Sequence, residues 1–278
     1  MNADDMAECG RICYEAFASI ADRHGFPHDF ATVTEATAAV SRLATHPGFF
    51  SLLAERAGRV VGSNFLDERS VIRSVGPVTV DPGQQNRGTG RVLVNEALER
   101  AAQRGSLGVR LLQAGYHSRS LSLYTKLGFD VRESFATVNG APLHLRVPGR
   151  AVRPATDNDI AACNSVCASV HGHDRDGELR DAVAAGAANV VERRDQITGY
   201  STGIGFFGHS VAETDDDLAA LIAAAPRFGG SGFLAPLRDS ELLRWCLDHG
   251  LRISHTMNLM TIGFYQQPRG AYLASVGY

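Results

Sequence analysis

No stretch of this sequence stays apolar for the ~18 residues that a membrane-crossing helix needs. The opening MNADDMAECG has neither the basic nor the apolar segment of a secretory signal. Basic excess is missing too: the net charge is −3 and the pI 6.4, so neither nucleic acid nor a membrane surface is expected as partner. The 5 cysteines are an odd number without a disulfide-rich pattern, which points to a reducing, cytoplasmic setting. There is no GxxxxGK[ST] anywhere, and the glycine run that ends at Gly90 lacks a third glycine at dinucleotide-fold spacing. Cys163, Cys167, His171 and His173, whose first three members share one helical face, are of the types that bind zinc. Cys9 and Cys13 repeat the cysteine spacing with no histidine following, so buried apolar thiols explain both pairs and no metal is expected.

What is present begins with 44% hydrophobic residues in 278, enough for two cores. The run from Gly76 to Ala101, GPVTVDPGQQNRGTGRVLVNEALERA, carries the clearest chemistry. A β-branched strand over 75–80 breaks at Asp81-Pro82, because proline has no N–H to give. A glycine loop then opens into a helix whose apolar stripe is Val94, Ala97, Leu98 and Ala101, closed by Gly105. Gly88 and Gly90 let a ligand approach the backbone, and the amides of Gln85, Asn86, Arg87, Gly88, Thr89, Gly90 and Arg91 are the unpaired donors of a helix N-terminus. That is an anion site, sized for a pyrophosphate.

The loop reads Gln85-Asn86-Arg87-Gly88-Thr89-Gly90 and resembles motif A, Q/R-x-x-G-x-G/A, of the GNAT superfamily of acyl-CoA-dependent N-acetyltransferases. Further on, YHSRSLSLYTKLGF from Tyr116 to Phe129 resembles motif B, with Leu123, Tyr124, Gly128 and Phe129 in its signature places. One departure is His117, where the family usually has Asn. The resemblance implies an α/β fold (an α+β mixed sheet flanked by helices) and acetyl-CoA as cosubstrate. It implies transfer to a primary amine of a small molecule or peptide, which needs an oxyanion donor, an acid for the leaving thiolate and a base for the amine. By the same resemblance Tyr124 is the acid, the amide near Val78 faces the oxyanion, Thr79 and Val80 border the pantetheine arm, and His117 and Ser120 complete the cofactor contacts. For the base, Asp67 and Glu68 lie at the turn before the motif A strand, where the alternative is a solvated hairpin tip. The carboxylate of Tyr278 is a further candidate, by analogy with tandem acetyltransferases of aminoglycosides.

The two halves of the chain also echo each other. ERAGRVVG, 55–62, aligns without a gap on ERRDQITG, 192–199, and Leu127 to Val131 aligns on His249 to Ile253. This predicts tandem GNAT-like domains over 1–147 and 151–278. In the second, SVAETDDDLAALI replaces the glycine loop and Cys246 takes the place of Tyr124, so one cofactor per chain is expected. The strand over 151–154 has no counterpart ahead of the first half. An upstream segment, another part of the chain or a second subunit would cover that edge, and the last choice predicts a homodimer. Acceptor choice is expected from the loop His24 to Phe30. Two rival readings stay open: a longer acyl donor, and a non-catalytic acyl-CoA sensor.

Overall fold

The computed structural model describes residues 1–277. Contacts gather them into two compact units: Met1–Asp130 with Met260–Phe264 and Gly277, and Val131–Leu259 with Tyr265–Val276.

In the first unit, Asn2 caps helix α1 (Ala3–His24) by exchanging bonds with Asp5, and Gly25 ends it left-handed at φ 71°. Helix α2 (Val33–Thr45) is capped by Thr32. Cys9 and Cys13 of α1 pack with Ala36 and Val40 of α2 against Phe65, which is why thiols recur on that face. Strands β1 (Phe49–Arg56) and β2 (Arg59–Asp67) form an antiparallel hairpin. Strand β3 (Ile72–Val75) and the short β4 (Thr79–Val80) both pair antiparallel with β2. Leu66 faces Val75 but Ser63 faces Thr79, so the register slips by one residue across Gly76 to Val78. That slip is a β-bulge, a device that re-aims a strand.

Helix α3 (Thr89–Gln103) leads to β5 (Gly108–Ala114), and helix α4 (Ser118–Lys126) follows. The sheet runs β1-β2-β3-β5. Its core sets Leu66, Val75, Val109 and Leu111 against Val94, Ala97 and Ala101 of α3 and Tyr124 of α4, the predicted stripe of α3 among them. The chain's far end contributes Met260 to this core, and the Phe264 amide donates to the Leu107 carbonyl at 2.9 Å. A Cβ on Gly108 would stand 2.9 Å from the Phe264 carbonyl oxygen, so that close approach requires glycine.

The second unit continues with β6 (Asp130–Asn139), β7 (Ala151–Pro154), α5 (Ile160–His171), α6 (Asp176–Ala184), β8 (Asn189–Arg193), β9 (Gln196–Ser201), β10 (Ser210–Ala212), α7 (Asp215–Ala224), β11 (Phe233–Pro236), α8 (Ser240–Asp248), β12 (Arg252–Gly263) and β13 (Ala271–Leu273). One sheet here is antiparallel throughout, in the order β13-β10-β9-β8-β7. Strand β6 lies between β12 and β11. Leu218, Leu221 and Ile222 of α7 and Leu242 and Cys246 of α8 fill the core.

The internal repeat is visible in backbone angles. Ala57 and Gly58 turn the β1–β2 hairpin at φ 50° and 72°, and their aligned partners Arg194 and Asp195 turn β8–β9 at 55° and 60°. Two successive positive φ angles make the two-residue turn that suits strand twist. Both hairpins also slip register at the aligned residue, Glu55 and Glu192. Phe129 donates to the Tyr124 carbonyl as Leu251 donates to that of Cys246, so the alignment of those two residues holds in three dimensions. Strand β7 covers β8, while the outer edge of β1 carries no strand among the described residues.

Candidate functional site

Strands β3 and β5 run parallel for three pairs, Ile72 with Gly108, Arg73 with Val109 and Ser74 with Arg110, and then separate. The bulge at Gly76 to Val78 lies just beyond the last pair. Since the Asp81 amide donates to the Val61 carbonyl, ladder alternation turns the main chain of Thr79 toward β2 and those of Val78 and Val80 to the open side. Thr79 adds a side-chain bond to Ser63 at 3.0 Å. The Val78 amide donates to no described group. Val78 and the Val80 amide therefore present a short strand edge into the gap, the Val80 carbonyl being taken by Gln85 Nε2 at 3.1 Å, and Thr79 backs it.

At the far end of that edge stands the glycine loop. Val92 donates to the Gly88 carbonyl, the first bond of α3, and the amides from Gln85 to Arg91 donate to no other group among the described residues. Gly88 is the N-cap at φ 85°, with no side chain to close the turn. The left-handed angle suits glycine, and nothing within 4 Å would fill the space beside it. Seven free donors at the positive end of a 15-residue helix attract an anion. Neither α3 nor α4 has an acidic residue in its first turn. Arg87, Arg91 and Arg119 make no ion pair with a described carboxylate, so the positive field is not offset locally.

The corner between β5 and α4 is held by a residue the sequence did not single out. Gln113, 3% exposed, donates from Nε2 to the His117 carbonyl at 2.8 Å and to Ser120 Oγ at 3.0 Å, and also to the Ala114 carbonyl. Ser120 Oγ in turn donates to the His117 carbonyl at 2.9 Å, so its hydroxyl shapes the corner. A glutamine following the apolar pair Leu111-Leu112 in this strand was the available signal. His117 is the N-cap of α4 and makes no capping bond through its side chain. Its Nε2 is buried without a partner. Burial, then the charges of Arg119, His24 and Arg23, push its pKa down to about 4, so the ring is neutral at pH 7. Above the corner, Phe26 stacks on Tyr116 with ring centroids 4.4 Å apart, and His24 lies 5.5 Å from the same ring. His28 instead bonds Asp22 at 2.7 Å. The loop after α1 thus closes on the corner through its first residues.

Tyr124 is buried in α4 with its ring edge-on to Phe129, centroids 6.0 Å apart. Burial pushes its phenol up to about 12, which keeps it protonated at any working pH. Glu68 has a different environment: Arg100 Nε donates to it at 2.8 Å and Arg104 lies 3.6 Å away. Burial opposes its charge, but the hydrogen bond and charge of Arg100, helped by Arg73 and Arg104, hold the carboxyl below its usual range. Asp67 pairs with Arg69 at 2.6 Å. Arg100 belongs to the last turn of α3, the opposite end from the glycine loop. Tyr278 lies outside the described residues.

In the second unit the corresponding helix is closed to anions by its own side chains. Thr214 caps α7 by accepting from the Asp217 amide. Arg150 reaches Asp216 and Asp217 at 3.2 and 3.1 Å, and Arg193 reaches Glu213 at 2.8 Å. The five cysteines are free and buried. Among the described residues no group of three or more histidine, cysteine or acidic side chains is arranged to hold a metal ion. No described helix is long and apolar enough to cross a membrane.

With this geometry in hand, the class of the protein follows: a tandem arrangement of the GNAT fold, with an anion loop in one half. Residues 47–131 match the family model of the acetyltransferase (GNAT) domain. Mycothiol acetyltransferase of Amycolatopsis mediterranei (strain U-32) is 37% identical over 98 residues, a match covering 31% of this chain and 31% of that protein. The likeness thus spans about a third of the relative's length. Among solved structures, a proposed acetyltransferase from Pyrococcus horikoshii superposes with TM-score 0.76 at 17% identity, covering 100% of this chain and 93% of that one. A tandem GNAT protein from the clavulanic acid biosynthesis pathway gives TM-score 0.55 at 12% identity, covering 94% and 96%. At these identities the superpositions speak to fold. The segment 47–131 is therefore similar to the GNAT acetyltransferase domain, a family whose cosubstrate is acetyl-CoA.

Proposed function

We propose that the first unit transfers an acetyl group from acetyl-CoA to a primary amine of a small molecule or peptide. The observation that carries this reading is the run of seven unpaired amides from Gln85 to Arg91, beside a strand edge at Val78 and Val80. The loop would take the pyrophosphate, and the open edge would take the amide groups of the pantetheine arm. Gly90, Thr89 and Arg91 belong to the loop's final turn into α3. His117 presents a neutral Nε2 at the corner where the family usually has an amide side chain.

In the transfer, the amine nitrogen attacks the thioester carbonyl carbon and the oxygen takes the negative charge, facing the Val78 amide. The carbon–sulfur bond then breaks. Tyr124 gives its phenolic proton to the leaving sulfur, and the proton shed by the attacking nitrogen restores the phenol, so the proton count closes. A thiol of ordinary pKa near about 8.5 is a weaker base than a phenolate at about 12. A thiolate leaving inside the same dry site is made more basic by the same burial, which narrows that difference. Glu68 is assigned to holding α3, because its oxygens are committed to Arg100 and Arg104.

The mycothiol acetyltransferase likeness supports acetyl transfer as the chemistry. Five buried free thiols suit a reducing compartment, so the cytoplasm is part of the reading. So is a homodimer formed at the open outer edge of β1; sedimentation as a monomer would remove it.

Titration of acetyl-CoA into the purified chain tests the central reading. One site per chain is expected, with the heat lost in Gly88→Glu. Two sites would mean that α7 still binds, and absence of binding would reduce the glycine loop to a turn.

A further inference from the structure

Arg119 is the second residue of α4, a 9-residue helix with no acidic residue in its first turn. A cation there faces the positive end of the helix, the unfavourable end for it. Its guanidinium reaches over to the anion loop: Nη2 donates to Gln85 Oε1 at 2.5 Å, and Nη1 lies 3.5 Å from Asn86 Oδ1. Both acceptors are neutral amides. Most arginines with defined partners here meet carboxylates, among them Arg11, Arg69, Arg100, Arg153 and Arg238. Arg119 meets none among the described residues. An exposed guanidinium held by two neutral oxygens at the wrong end of a helix exchanges them readily for an anion, since charge-assisted bonds are about twice as strong.

The loop amides already supply enough donors for a pyrophosphate. Arg119 meets the side chains of the first two loop residues, Gln85 and Asn86, at the end of the loop away from the start of α3. Gln85 is tied back to the Val80 carbonyl at 3.1 Å, so releasing Arg119 leaves the loop anchored. We propose that Arg119 pairs with the phosphate on the ribose of coenzyme A, and so makes the site discriminate between coenzyme A and its 3′-dephospho form. This rests on the cofactor reading given above.

The test measures the affinity of wild type, Arg119→Ala and Arg119→Lys for coenzyme A and for 3′-dephospho-coenzyme A by calorimetry, with melting temperatures to confirm folding. Arg119→Ala is expected to weaken coenzyme A by about ten- to a hundredfold and to leave the dephospho form unchanged, with Lys restoring part of the loss. Equal losses for both ligands would overturn the proposal and move Arg119 to the pyrophosphate or to loop shape. No loss for either would overturn it as well. If wild type binds neither ligand, the cofactor reading itself fails, an outcome distinct from the other two.

Discussion

Tyr124 and Glu68 carry the same kind of expectation from the sequence and sit in opposite environments. The phenol is buried and raised to about 12; the carboxylate is gripped by two arginines and lowered. Replacing Tyr124 with Phe keeps the ring's packing on Phe129 and removes the proton donor. Thiol release should fall by about a hundredfold or more with acetyl-CoA affinity unchanged, and an unchanged rate would take Tyr124 out of the mechanism. Glu68→Gln should lower the melting temperature while sparing the rate of the folded enzyme. A large rate loss at unaltered stability would reinstate Glu68 as the base. His117 gives a pH signature. Its pKa is near 6.5 when unfolded and about 4 when folded, so between those values the unfolded chain binds more protons. Its contribution is intact above pH 6.5 and declines as the pH falls toward 4. His117→Asn should therefore lose melting temperature less steeply than wild type across that window; parallel curves would contradict the depressed pKa.

At the scale of elements, the site arises from two strands that stop pairing. The one-residue slip at Gly76 to Val78 and the end of the β3–β5 ladder at Ser74 and Arg110 open a gap just where α3 presents its free amides. The sequence showed the break at Asp81-Pro82 and the helix, because each has a local cause in proline, glycine or apolar spacing; the single strand expected over 75–80 is instead two, 72–75 and 79–80, split by the bulge. It did not show that Thr79 faces β2 while Val78 and Val80 face the gap, since a bulge shifts alternation without any mark in composition. Nor did it show Gln113 or Arg119, whose partners lie elsewhere in the chain. Gly108 offers a test of the neighbouring ladder. Gly108→Val would drive a side chain into the Phe264 carbonyl and should cost about 1–3 kcal/mol of stability by denaturant titration. A neutral effect would mean that the end of β12 can withdraw from β5 freely.

For the whole molecule, the repeat and the compact units are drawn along different lines. The repeat divides near Val147 to Arg150, whereas the first unit takes Met260–Phe264 from the far end of the chain. Met260 is fully buried there among Val109, Leu111 and Phe129. A fragment ending at Val147 lacks that segment and exposes part of the core, so it should be insoluble or fail to melt cooperatively. A soluble fragment with full acetyl-CoA affinity would show that the segment is dispensable. The asymmetry between halves belongs to this scale too: one helix N-terminus is left open, and its counterpart is closed by Thr214, Arg150 and Arg193.

The sequence by itself determined the class of fold, the glycine loop, the repeat of the two halves and the loss of the loop in the second. Each follows from residues acting over a few positions, through missing Cβ atoms, missing N–H groups or charges beside a helix end. Only the tertiary structure decided which strand edge is open, which cations lack a carboxylate, that Glu68 is committed to Arg100, and that the last strands close a core begun more than a hundred residues earlier. Those are pairings between distant segments, and no local spacing encodes the partner a side chain will meet.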